Sequence, residues 1–179
     1  MNGTVSLITF FFGVVILSAC AAAPDVDRMI PSAPPSAVLH SDKVLRVGEV
    51  TGGKETNPLM QSMIDDTGFR QALVDTLQRS GLFRSVITDQ AAADYELQAE
   101  IVSQEVQGIY DATATLFVNY RLLEVSSHRE IWKENLLSRY MAKFEESFIG
   151  VERRRKANEG VVRENLLQLV DRLSQVLPK

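Results

Sequence analysis

Apolar and polar positions alternate most strictly between Ala112 and Leu122, where Ala112, Ala114, Leu116, Val118, Tyr120 and Leu122 interleave with Thr113, Thr115, Phe117, Asn119 and Arg121. A period of two marks a strand with one face on a core and the other in water. Upstream, Tyr95, Leu97, Ala99 and Ile101 alternate with Glu96, Gln98 and Glu100, and Gly108 to Asp111 is expected to turn the two runs into a hairpin. Glu130 to Met141 reads as a third long strand after the turn-prone Ser126-Ser127-His128-Arg129. The three runs predict an antiparallel meander.

Lys43 to Val50 (KVLRVGEV) is of strand length and ends at Gly52-Gly53. Beyond a loop at Asn57-Pro58, Phe69, Leu73, Val74 and Leu77 recur at helical spacing, with Asp66-Thr67-Gly68 offering an N-cap and Gly81 a left-handed stop. Ser80-Gly81-Leu82-Phe83 leads into a short strand at Val86-Ile87. At the far end Val162, Leu166, Leu169, Leu173 and Val176 are spaced by 4, 3, 4 and 3 residues, the seam of an amphipathic helix that ends at Pro178. The order β-α-β-β-β-α predicts an α+β fold, a mixed and mainly antiparallel sheet with two helices packed on one face. The opposite face then carries Glu96, Gln98, Glu100, Thr113, Thr115, Asn119 and Arg121. Phe117 is the apolar exception on that side, and is read as a mark of an interaction surface.

A different pattern opens the chain. No charged side chain occurs from Met1 to Pro24, and Val5 to Leu17 is almost wholly apolar. The run is short of the about 20 residues that a membrane-spanning helix needs, and suits the core of a secretory signal. Leu17-Ser18-Ala19-Cys20 closes it with the only cysteine of the chain. These four residues resemble a bacterial lipobox. The resemblance implies that Cys20 is lipidated: its thiol takes a diacylglycerol, the bond before it is cut, and the new amine is acylated by a fatty chain such as palmitate. One chain, at about 0.8 kcal/mol per buried CH₂, holds a protein only marginally, whereas several make the attachment stable. Ala21 in place of Asp after the cysteine implies, by the same resemblance, the periplasmic face of the outer membrane, with the inner membrane as the alternative. Residues 1–19 are therefore expected to be a signal peptide, residues 20–41 a lipidated cysteine with a Pro/Ala-rich tether, and residues 42–179 a single periplasmic domain. As a coil the tether would reach on the order of 25 Å.

Charge narrows the class of partner. The 19 Lys and Arg against 23 Asp and Glu leave a net charge of −4, which argues against a nucleic-acid partner. His40 and His128 are the only histidines and stand far from ligand-type neighbours, so neither a metal nor a cofactor is expected. Asp65-Asp66 and Glu145-Glu146 are adjacent pairs, which on a regular element point apart instead of converging on a substrate. Gly52-Gly53-Lys54 is read as a turn, since a phosphate cradle needs further glycines opening directly into a helix. Arg153-Arg154-Arg155-Lys156 is the sharpest charge feature. Four consecutive residues fan around a helix, so it is read as a solvated helix start, with contact to lipid phosphate, lipopolysaccharide or an anionic partner as the alternative. Tyr95, Tyr120 and Trp132 are assigned to packing on strands. No catalytic residue is assigned.

Two resemblances complete the picture. Val50-Thr51-Gly52-Gly53-Lys54-Glu55-Thr56-Asn57-Pro58, then Phe69-Arg70-Gln71-Ala72-Leu73 with Ser80-Gly81-Leu82-Phe83, and finally Ala157 to Asn165 (ANEGVVREN) resemble a family of small, uncharacterised bacterial envelope lipoproteins. The order of elements is similar to that of periplasmic assembly lipoproteins: the lipopolysaccharide-transport plug, the activators of penicillin-binding proteins and the curli-secretion lipoprotein. They imply a membrane-anchored, non-catalytic binding or assembly module of the cell envelope, monomeric or weakly associating, with an envelope protein as partner and anionic lipid or lipopolysaccharide as a further one. The alternatives are a carrier of lipid or lipopolysaccharide, and an enzyme of envelope glycan or lipid metabolism.

Overall fold

The structure is a computed structural model that describes residues 20–32, 41–59, 61–89 and 91–177. A short helix α1 (Val26–Met29) precedes strand β1 (Ser41–Thr51), helix α2 (Asp66–Ser80), strands β2 (Phe83–Ile87), β3 (Tyr95–Gln107), β4 (Ala112–Glu124) and β5 (Arg129–Ala142), a 3₁₀ turn at Phe144–Glu146 and helix α3 (Gly150–Val176). The expected α+β order holds, with α1 as an addition. The five strands lie in the order β2-β1-β3-β4-β5. The pairs β1–β2 and β1–β3 are parallel, while β3–β4 and β4–β5 are antiparallel.

Parallel neighbours normally need a long crossover, yet β2 reaches β3 through residues 88–94 alone. Stagger makes this feasible. Ile87 ends β2 level with Arg46, and Tyr95 starts β3 level with Leu45, so the link only has to step across β1 at mid-height. Asp94 fastens that step. Its N–H donates to Val44 O at 2.9 Å, its carboxylate accepts from Val44 N–H at 2.8 Å and from Lys43 Nζ at 3.1 Å, and its carbonyl accepts from Val125 N–H.

The core follows from the alternation. Every second residue of β4 from Ala112 to Leu122 is buried in one core with Phe69, Leu73 and Leu77 of α2, which lies over β1 and β2, and Val162, Leu166, Leu169 and Leu173 of α3, which lies over β4 and β5. Each such large side chain contributes about 1.5–3 kcal/mol by leaving water. In β3 the pairing slips between Ile101 and Ser103, so Gln104 turns inward, where the alternation of Tyr95 to Ile101 would have left it outside. Gln104 then serves as a stand-in for missing strand: its amide receives Ile64 N–H and donates to Ile64 O, both at 2.8 Å, beside β3 where β1 has ended.

α2 is capped by Asp65, whose carboxylate accepts Gly68 N–H at 2.8 Å, and Gly81 closes it at φ 66°. The cap is thus one residue earlier than the sequence pattern suggests, because Asp66 is engaged by Gly53 N–H at 2.6 Å. Gly52 has φ 86°, so Gly52-Gly53 is the turn leaving β1. α3 crosses the sheet closely at Gly160, where a Cβ would lie 2.2 Å from Cδ1 of Tyr140. Tyr120, fully buried, donates from its hydroxyl to Asn165 Oδ1 at 2.7 Å, and Asn165 Nδ2 donates to Ser138 Oγ at 3.0 Å.

Gly160→Ala should cost about 1–3 kcal/mol through overpacking on Tyr140. In a Tyr140→Ala background the same change should turn stabilising, because Ala is the better helix former. Urea midpoints of the four proteins check the reversal. The Val44 N–H bond, reinforced by Lys43, holds the Asp94 carboxyl below its ordinary range despite some desolvation. Its contribution is therefore complete above the unfolded value of 3.8 and is lost as pH falls through the lower folded value. Asp94→Asn should be less stable than the parent at pH 7, with the gap in urea midpoint narrowing below about pH 4.

Candidate functional site

The segment expected to be a free tether is docked over residues 20–32. Cys20 is exposed, but Ala21 is buried and its N–H donates to Pro58 O at 2.8 Å. Asp25 caps α1 through Asp27 N–H at 3.1 Å, and its own N–H donates to Glu159 Oε1 of α3 at 3.0 Å. Met29 and Ile30 complete the attachment by joining the core between α2 and α3. Composition concealed this, because the prolines and alanines surround one apolar pair whose partners lie in α2 and α3, far along the chain. The stretch 33–40, with His40, lies outside the described residues, as do the signal region 1–19 and Pro178.

Glu159 is the buried carboxylate of this junction, 2% exposed. Arg155 Nε stands 3.7 Å and Arg28 Nη1 4.0 Å from it, and Arg163 donates to Arg28 O. Burial pushes its carboxyl above the ordinary range, against the lowering pull of Asp25 N–H and the two arginines. The group clamps the arm that leads from Cys20 onto α3.

The basic run at 153–156 departs from the expected solvated helix start. One of four consecutive helical residues must face inward, and here it is Arg153, 5% exposed. Its guanidinium donates to Ser147 O at 2.5 Å and Ile109 O at 2.8 Å, and lies 5.2 Å over the Phe144 ring. Arg155 pairs with Glu152, and Lys156 donates to Glu146 O. Only Arg154 of the run has no such partner among the described contacts. Arg153 thereby ties the β3–β4 turn to the β5–α3 loop, and the two loops present Ile109, Tyr110, Phe144, Phe148 and Ile149 to solvent. Phe144 makes edge contacts with Tyr110 and Phe148 at centroid distances of 6.5 and 5.2 Å. Sequence reasoning passed over this cluster. Its signal was Ile-Tyr in a turn, where Asn, Asp or Gly is the usual choice, and Phe-Ile directly ahead of a helix.

The open sheet face is polar, as expected. Arg46 pairs with Glu96, Gln98 donates to Glu96 at 2.8 Å, Asn119 to Glu100 at 3.1 Å and Arg121 to Glu130 at 2.7 Å. The Arg46 pair and Gln98 hold the Glu96 carboxyl below its ordinary range, although desolvation, the largest single influence, works the other way. Phe117 lies on this face beside Leu137, its partner in β5, which is exposed. A cleft of about 400 Å³ opens where β1 meets α2, lined by Arg46, Asp66, Thr67, Arg70 and Glu96. Its charged groups hold structure: Arg70 donates to Gly48 O, Val47 O and Thr88 O. Asp65 and Asp66 point to different partners, His128 occupies the β4–β5 turn at φ 54°, and Glu146 accepts Lys143 N–H. Among the described residues no group of three or more His, Cys, Asp or Glu converges as a metal site would, and no helix is long and apolar enough to cross a membrane.

No family model matches the chain, and no curated protein matches it. Solved structures do. Protein XCC0632 from Xanthomonas campestris, of family DUF330, is 17% identical over 83% of this chain and 90% of that one, with a TM-score of 0.63. Protein CT253 from Chlamydia trachomatis is 12% identical over 76% and 98%, at 0.55. A PelC dodecamer from Paraburkholderia phytofirmans is 17% identical over 80% and 95%, at 0.51. These likenesses show a shared fold.

As pH falls through the raised value of Glu159, the native state takes up a proton that the unfolded chain does not yet hold. Stability attributable to this group therefore grows until the pH is below the ordinary 4.5 and is lost on the alkaline side. The urea midpoint of the parent minus that of Glu159→Gln should rise on going from pH 7 to pH 4. A flat difference would refute the burial of this carboxyl.

Proposed function

We propose that this chain is a lipid-anchored protein of the bacterial envelope that acts by binding and assembly on the periplasmic face of the outer membrane. The observation that carries the reading is the seat of Cys20: the residue of the lipobox-like motif is exposed, while the backbone immediately after it is bonded to the domain. An anchor in that place fixes both the address of the domain and its orientation. The inner membrane remains the alternative address.

Surface binding is favoured over carriage by the filled interior, where Phe69, Leu73, Leu116, Leu122 and Leu166 occupy the space between sheet and helices without exposure. It is favoured over catalysis by the duties of the polar groups, since the arginines and carboxylates of the cleft are spent on backbone and on one another. The surface on offer to an envelope protein is the open sheet face, with its paired charges and the Phe117–Leu137 pair, together with the free edge of β5.

Mass spectrometry of the protein purified from native membranes tests the reading. The expected species begins at Cys20, carries acyl chains, and after crosslinking co-purifies with envelope proteins that a Cys20→Ser chain fails to recover. An unprocessed leader with a free thiol would overturn it.

A further inference from the structure

The exposed apolar residues of the domain are unevenly placed. Leu59 is 91% exposed, Ile109 86%, Tyr110 78% and Phe148 75%. Three of these stand in the two loops that Arg153 ties together, at the end of the sheet where β3 turns into β4 and α3 begins. Leu59 belongs to the hairpin that Asn57 and Gln61 close. That hairpin continues β1 upward along β3: Lys54 N–H bonds Ile64 O, and Ile64 pairs with Gln104, which places Pro58 and Leu59 toward the same end.

Cys20 lies there as well. Ala23 shares a cleft with Gly53, Asp65, Asp66 and Thr67, where β1 has ended and α2 begins, and from there the arm runs to α3, which it meets through Asp25 at Glu159. Ala21 is bonded to Pro58, next to Leu59. Consecutive Cα atoms are about 3.8 Å apart, which leaves Cys20 no slack with which to hold this end away from the membrane. The opposite end is polar, formed by the exposed Ser126, Ser127, His128 and Arg129.

We infer that the end of the domain bearing Leu59, Ile109, Tyr110 and Phe148 is seated in the lipid surface, with these side chains among headgroups and upper acyl chains. The inference rests on the anchor reading above and extends it from attachment to orientation. Aromatic and aliphatic side chains on loop tips suit the interfacial layer, where an apolar body and a polar tip are both accommodated. Because the anchor has already localised the chain, a small buried area is sufficient to orient it. Arg153 is the positioning residue, since it bridges the two loops from within. The open sheet face and the β5 edge then stand roughly along the membrane normal, free for a partner in the periplasm.

The test uses the lipidated full chain in phosphatidylethanolamine–phosphatidylglycerol vesicles, in a Trp132→Phe background that carries Leu59→Trp, Phe148→Trp or Ser126→Trp. With acyl chains brominated near the headgroups, emission of the first two variants should shift to shorter wavelength and be quenched. Ser126→Trp should keep water-like, unquenched emission. Floating vesicles with unquenched tryptophan at both 59 and 148 would overturn the seating while leaving the anchor intact, and so would a blue shift that tracks protein concentration without lipid, which would mark a second copy as the occupant. A chain from native membranes whose Cys20 carries no acyl group, or one with unmodified Cys20 that floats as well as the acylated chain, would instead overturn the anchor reading itself, and the seating with it.

Discussion

A helix that buries polar side chains against a sheet must find each one a partner, because an unsatisfied buried group costs about 1–3 kcal/mol. α3 carries Arg153, Asn158, Glu159 and Asn165 into the interior, and the partners of these four residues organise the molecule. Asn165 meets Tyr120 and Ser138 and thereby sets the helix on the centre of the sheet. Asn158 donates to Ser62 O at 2.8 Å and holds the hairpin after β1. Glu159 takes the arm, and Arg153 takes both loops at the apolar end. Gly160, between them, lets the helix come close enough for the bonds to form. Sequence-distant pieces are therefore held by polar side chains that leave one helix on several sides.

Arg153 and Glu159, in the first half of α3, hold the exposed aromatic loops and the arm that begins at Cys20, while the second half of the helix lies on the apolar core. Residues that looked like candidates for recognition, the basic run above all, are consumed in this bracing. Among the described residues a polar sheet face, the outer edge of β5 and an apolar end remain exposed.

The legible elements were those decided locally. Alternation in β4 and β3, the αL glycine after α2 and the 4-3-4-3 seam of α3 each reflect a backbone period or a steric rule acting over a few residues. Less legible were features decided by a single distant neighbour. The slip between Ile101 and Ser103 reverses which side chains face the core, and Gln104, an unremarkable glutamine on paper, becomes a surrogate strand for Ile64. α3 starts at Gly150, well before its apolar seam, because its first turns are held by Arg153 and not by leucines. The N-terminal arm read as linker because Met29-Ile30 is too short a run to announce a packed element.

The chain's own pattern determined the strand and helix order, the polar character of one sheet face and the lipobox-like position of Cys20, since all of these depend on residue type and short spacing. The tertiary structure alone decided that Arg153 and Glu159 are internal, that the arm is bound instead of free, and that Ile109, Tyr110 and Phe148 gather on two loops braced by one arginine. Those outcomes depend on which surfaces meet across long loops. Burial and pairing are properties of the meeting, so no local stretch of residues contains them.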